Sequence, residues 1–163
     1  MMNNKKFFIF SFIFAIFIKL FVLDIVKISG KSMEPNLKDG QYVVINKLAY
    51  GIVKPFSNKL LIQWNKPKID DIIIYVYNNN MVIKRCCGIE LQRLEFIKNS
   101  QYNVIIGDKK IPLTDEQYYN MALCRYIPKN RVFAVGDNYH NSTDSRNYGF
   151  VMDNNILGKV LCK

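Results

Sequence analysis

The sequence predicts a mostly β chain, an antiparallel sandwich or barrel, carried behind one N-terminal transmembrane helix. Two observations predict it: a nearly unbroken apolar run close to the N-terminus, and short apolar runs separated by turn residues from residue 31 onward. The 163 residues allow one compact domain plus an appendage. Half of them are hydrophobic and 22% are charged, which excludes a fully disordered chain. Four cysteines are too few for a disulfide-dense miniprotein.

The apolar end comes first. Seven of the 11 Phe fall between Phe7 and Phe21. Residues 7–23 read FFIFSFIFAIFIKLFVL, with Ser11 and Lys19 as the only polar interruptions. As a helix this run spans roughly 25 Å, the short limit for crossing about 30 Å of hydrocarbon. Lys19 sits near the far end, where its side chain can snorkel to the interface. Asp24 and Lys27 mark the exit. Lys5 and Lys6 precede the run, which favours a cytoplasmic N-terminus and everything after the helix outside. A cleaved secretory signal is the rival reading, but no small-x-small cleavage site follows between Lys19 and Ile28. The expectation is an uncleaved single-pass anchor in the cytoplasmic membrane. Residues 1–28 are the cytoplasmic tip and anchor, and 29–163 an extracytoplasmic β domain.

Beyond the anchor, strands are expected at 42–48, 72–77, 81–87, 93–97, 103–106, 131–135 and 156–162. Asn78-Asn79-Asn80 separates two of them as a short hairpin loop would, and Gly107-Asp108 has hairpin-turn chemistry. A short helix is expected over 115–125. The 23 Lys+Arg against 13 Asp+Glu give a formal charge of +10. These lysines are scattered rather than gathered into a stripe with interleaved aromatics, so nucleic acid is not the expected partner. A basic surface beside anionic lipid is. Cys86, Cys87, Cys124 and Cys162 form no Cys-x-x-Cys pair, and His140 is the sole histidine, so no structural zinc site or other metal is expected. Buried free thiols are the simple reading, with a disulfide from Cys124 or Cys162 as the alternative.

Two segments and a strand are placed to carry chemistry. Ser29 to Leu37 reads SGKSMEPNL directly after the anchor, and Gly136 to Gly149 reads GDNYHNSTDSRNYG. Between Gly30 and Pro35, Ser32 sits in a turn that can expose a hydroxyl. A protonated hydroxyl is a poor nucleophile and needs a base. A solvated lysine, with a pKa of about 10.4, is protonated near neutrality, and burial lowers that value by up to several units. Lys84 meets the requirement, lying mid-strand in Val82-Ile83-Lys84-Arg85-Cys86-Cys87. Alternation puts it on the face of Val82 and Cys86 and sends Arg85 to the other.

Taken together, these segments resemble the type I signal peptidases, membrane-bound serine proteases with a Ser–Lys dyad. Ser32-Met33-x-Pro35-x-Leu37 resembles that family's nucleophile box. Val82-Ile83-Lys84-Arg85 with Gly88 resembles its base box, and Gly136-Asp137-Asn138 with Ser142, Asp144, Ser145, Arg146 and Gly149 its C-terminal box. The order of the boxes and the N-terminal anchor match as well. The resemblance implies Ser32 as nucleophile and Lys84 as general base. It implies that Ser142 orients the Lys84 amine, that Asp144 and Arg146 form a bracing salt bridge, and that Asp137 pairs with Arg85. The Ser32 backbone N–H is implied as an oxyanion donor. Some members add a serine hydroxyl where this chain has Gly30, so a second donor is not identified. Further departures are Asn36 where the family usually has Thr, Asp70-Asp71 for Gly-Asp, a missing Pro-Gly-Asp after Gly88-Ile89, and Tyr139 for Arg.

The resemblance also implies a fold of the signal-peptidase type, with the extra β subdomain of larger relatives reduced. Its implied function is removal of signal peptides from secreted preproteins with small residues before the cut, without cofactor. The implied partners are membrane lipid, those preproteins and the secretion translocon. Three rivals remain: a related Ser–Lys peptidase of conjugative pilus processing, a mechanism through His140 and Asp144, and a non-catalytic anchored β module that binds secreted clients.

Overall fold

A computed structural model describes residues 4–54 and 57–161. Helix α1 (Asn4–Phe17) leads into one π turn (Ile18–Val22), and strand β1 (Leu23–Lys27) follows without a linker. The remaining strands are β2 (Tyr42–Asn46), β3 (Gly51–Val53), β4 (Leu60–Gln63), β5 (Ile72–Tyr77), β6 (Asn80–Gly88), β7 (Glu95–Lys98), β8 (Tyr102–Ile106), β9 (Lys109–Leu113), β10 (Arg131–Val135), β11 (Val151–Met152) and β12 (Ile156–Val160). Two short helices, α2 (Asp115–Met121) and α3 (Ser145–Tyr148), lie among them.

Every strand pairing is antiparallel. A seven-stranded sheet runs β1-β2-β12-β5-β6-β10-β11, beside a β3-β4 hairpin and a three-stranded β7-β8-β9 sheet. The mostly antiparallel β prediction holds, but the barrel does not. Strands β1 and β11 are the two edges of the large sheet and do not pair with each other, so no barrel closes.

The expected transmembrane helix over 7–23 also needs correction. No helix among the described residues is long and apolar enough to cross a membrane. The reason lies in the end of the apolar run. Leu23 pairs with Asn46 and Asp24 with Ile45, so Leu23–Lys27 spends its backbone hydrogen bonds on β2 rather than on another helical turn. The 14 residues of α1 span about 21 Å at the usual rise.

Local chemistry explains the turns that set the sheet. Asn78 and Asn79 take φ of +47° and +61° between β5 and β6, and the pair Tyr77–Asn80 closes the hairpin. Two left-handed residues make a turn whose twist matches the flanking strands, and Asn tolerates that region well. Helix α2 opens on a capping box, with Thr114 accepting from the Gln117 N–H and Gln117 reaching back to Thr114. It stops short of the expected 125 because that segment pairs elsewhere: Leu94 N–H donates to Arg125 O, and Arg93 bridges Tyr126. Strand β12 ends at Val160, and the expected last residue, Cys162, lies outside the described residues.

Three apolar clusters form the interior. One joins Cys87 and Phe133 to the small sheet and α2 through Val104, Ile106, Ile111 and Met121. A second gathers Ile28, Met33, Leu37, Val43, Ile72 and Ile74. The third holds Tyr50, Ile73, Tyr75, Cys86, Val132 and Ile156, with Val82 against it. Strand β6 contributes to all three, since Val82 and Cys86 enter the third cluster, Ile83 the second and Cys87 the first. Cys86, Cys87 and Cys124 are free thiols, and burial pushes those of Cys86 and Cys87 up to about 12.

Candidate active site

The site begins where β1 gives way to a loop. The loop is pinched at its base by two backbone bonds, Ile28 N–H to Gln41 O and Gly40 N–H to Ile28 O. Its middle is held by the buried side chains of Met33 and Leu37, and Leu37 N–H closes a turn on Met33 O. Gly30 has φ +92° and donates its N–H to Asp39 Oδ1 at 2.9 Å. An added Cβ there meets nothing within 4 Å, so the backbone conformation, rather than lack of space, calls for glycine. Ser32 rides on this loop, half-buried, between Gly30 and the buried Met33.

Lys84 comes to it from the middle of β6. It is only 4% exposed, and its Nζ lies 2.6 Å from Ser32 Oγ, a hydrogen bond. Burial is the largest influence on the amine and lowers its pKa; Asp144 opposes that fall, Arg146 adds to it and Asp137 opposes it. A lysine nitrogen desolvated against a serine hydroxyl holds its proton less firmly than a solvated one.

The loop from Gly136 to Ser142 closes over the other side. At Gly136 a Cβ would stand 2.5 Å from Ser32 O and 2.3 Å from Ser142 Oγ, so only glycine lets the two loops approach this closely. Asn138 then clamps the Ser32 loop twice, by N–H to Ser32 O at 3.0 Å and by Nδ2 to Lys31 O at 3.2 Å. Asp137 meets Arg85 in a two-pronged ion pair, Nε to Oδ1 and Nη2 to Oδ2, both at 2.7 Å, which keeps the guanidinium more firmly protonated than usual.

Behind this loop Asp144 is fully buried and accepts five hydrogen bonds. The donors are Gly136 N–H (3.0 Å) and the Ser142 hydroxyl (2.6 Å), then Arg146 through N–H (3.1 Å), Nε (2.9 Å) and Nη2 (2.9 Å). The same carboxylate caps α3. Arg146, 2% exposed, spends its remaining donors on the carbonyls of Pro112, Tyr139 and Ser142.

Thus the structure brings Ser32 to Lys84, Asp137 to Arg85, and Asp144 to Arg146. It does not give Ser142 a hydrogen bond to Lys84; that hydroxyl donates to Asp144. His140 is exposed in a short 3-10 turn. Two asparagines make contacts that the sequence did not assign: Asn138, through its clamp on the Ser32 loop, and Asn36, whose Nδ2 donates to Asp137 Oδ2 at 2.8 Å. The run Gly136-Asp137-Asn138 was the available signal for the first. Among the described residues, no group of three or more His, Cys, Asp or Glu is arranged to hold a metal ion.

A buried amine on a serine hydroxyl, braced by two ion pairs, is an arrangement suited to peptide-bond hydrolysis, and comparison with known proteins gives the family. The family model "Signal peptidase, peptidase S26" matches residues 1–163, and the chain belongs to that peptidase family. Signal peptidase I of Bacillus caldolyticus is 29% identical, covering 88% of this chain and 80% of that protein. Signal peptidase I of Buchnera aphidicola subsp. Schizaphis graminum is 25% identical over 97% of this chain and 75% of its own length. Signal peptidase IB of Staphylococcus aureus (strain Mu50) is 27% identical over 92% and 82%. Among solved structures, a signal peptidase I from Enterococcus faecalis V583 aligns over 60% of this chain and 97% of its own, at 22% identity and a TM-score of 0.41.

Proposed function

We propose that this chain is a membrane-held serine endopeptidase that removes signal peptides from secreted preproteins, with Ser32 as nucleophile and Lys84 as general base. The observation that carries this reading is the 2.6 Å contact between Ser32 Oγ and the buried Lys84 Nζ. Neutral Lys84 accepts the hydroxyl proton as Ser32 Oγ attacks the scissile carbonyl carbon. The tetrahedral adduct collapses to an acyl-enzyme ester, and the Lys84 ammonium returns its proton to the leaving amine. Water, deprotonated by the same amine, then attacks the ester and releases the signal peptide with Ser32 regenerated. The Ser32 backbone N–H donates to no acceptor among the described residues and is the proposed donor to the oxyanion.

Asp144 and Arg146 hold the Gly136–Ser142 turn against the nucleophile loop. Ser142, donating its hydroxyl hydrogen to Asp144, keeps oxygen lone pairs with which to accept from the Lys84 ammonium. Helix α1 supports the membrane reading. Phe7, Phe8, Phe10, Phe12, Phe14 and Phe17 are all exposed around it, and a helix apolar on every side calls for lipid or a protein interior. The lysines Lys5 and Lys6 at the N-terminal end favour the outer face for the β domain.

The test is cleavage of a preprotein with Ala-x-Ala at its signal junction, in liposomes, read on a gel. Wild type cuts at that junction, Ser32→Ala and Lys84→Ala leave it intact, and His140→Ala cuts as wild type does. A Ser32→Ala protein that still cuts sinks the reading.

A further inference from the structure

We infer that Asn36 is a positioning residue for the Ser32–Lys84 pair, acting through Asp137 and Arg85 to fix the nucleophile loop to the base strand. The inference rests on the proposed dyad. Ser32 and Lys84 are 52 positions apart and belong to different elements, so their separation is only as exact as the ties between a loop and β6. Near the nucleophile, those ties run through Asn138, which holds the backbone of Lys31 and Ser32 to the Gly136–Ser142 turn. That turn is itself joined to β6, through the pairing of Val135 with Arg85 and through Asp137.

The far half of the loop adds a side-chain tie, made directly to the carboxylate that grips Arg85. Asn36 Nδ2 donates to Asp137 Oδ2, and the two oxygens of Asp137 take Nε and Nη2 of Arg85. Arg85 is the covalent neighbour of Lys84, and its Nη1 is tied in turn to Asp70 O at 3.1 Å. The chain of contacts from nucleophile loop to base strand is therefore Asn36, Asp137, Arg85. Oδ2 of Asp137 is shared between a donor from each side, which couples them through a charge-assisted bond. Asn36 itself is exposed and packs into none of the three apolar clusters. Its contribution lies in where it points its amide rather than in holding the fold.

The experiment is steady-state cleavage of the Ala-x-Ala preprotein by Asn36→Ala and Asn36→Asp, with thermal melting of each. Asn36→Ala is expected to lower kcat about tenfold with KM within about twofold, because small displacements of reacting groups act on the chemical step. Its melting temperature stays at the wild-type value. Asn36→Asp, which sets a second carboxylate against Asp137, falls further in kcat than Asn36→Ala. In an Asp137→Ala background, Asn36→Ala has no additional effect, since the partner is already gone. Wild-type kcat in both Asn36 variants, or effects that add fully in the double variant, overturns the inference. Ser32→Ala run alongside separates the two claims. If it is inactive while Asn36→Ala is unaffected, the clamp fails and the dyad stands. If it is active, the dyad fails and the clamp with it.

Discussion

Lys84 is the residue whose chemistry and stability pull in opposite directions. Burial lowers its pKa, so in the folded chain it binds its proton less well than in the unfolded one. Between the lowered folded value and about 10.4 the unfolded state holds more protons, and stability rises with pH across that window. Lys84→Met is therefore expected to abolish cleavage and raise the melting temperature at neutral pH. The gain shrinks as pH rises through that window and is gone above about 10.4, where both states of the wild type carry a neutral amine. Melting curves of the two proteins across that range measure it. Asp144 and Arg146 behave differently, because their charges are paired. Removing either leaves the other buried and uncompensated, so Asp144→Ala or Arg146→Ala costs about 3–5 kcal/mol, measured by urea unfolding.

Elements place these residues, and they differ in how readable they were. Strands β5 and β6 and their Asn turn were legible because alternation, β-branched residues and turn chemistry agree within one short stretch. Strand β1 was not. Leu23-Asp24-Ile25-Val26-Lys27 continues an apolar run, and only pairing with β2 shows where the helix must end. Strand β9 begins with two lysines and contains Pro112, an edge-strand composition that carries little strand signal. At the site, residue types in order pointed to Ser32 and Lys84. The Ser142 bond to Asp144 and the Asn36 bond to Asp137 depend on side-chain directions that no spacing encodes. The two loops meet at Gly136, where a Cβ would strike Ser32 O. Gly136→Ala is expected to lower kcat by about a hundredfold through misplacement of the nucleophile, with the variant still folded by circular dichroism.

At the scale of the whole molecule, the apolar helix and the sheet share a boundary at Leu23. Lys47 reaches back across it, pairing with Asp24 at 3.2 Å and donating to Lys19 O. A chain starting at Leu23 is expected to keep its fold and lose flotation with liposomes. One starting at residue 29 loses an edge strand and melts lower. The sheet also carries information to the site from its far end. Through the Asn78-Asn79 turn, Lys84 stands opposite Ile73 and Arg85 opposite Ile72. Delete Asn79, and Asn78 with Asn80 become the two turn residues, Met81 faces Tyr77, and Lys84 moves opposite Ile74. Because side chains alternate, that one-residue slip exchanges the two faces of β6. Lys84 then points where Arg85 belongs, and Arg85 where Lys84 belongs. Such a protein keeps every residue of the proposed dyad and its supports, yet has no way to bring Lys84 to Ser32.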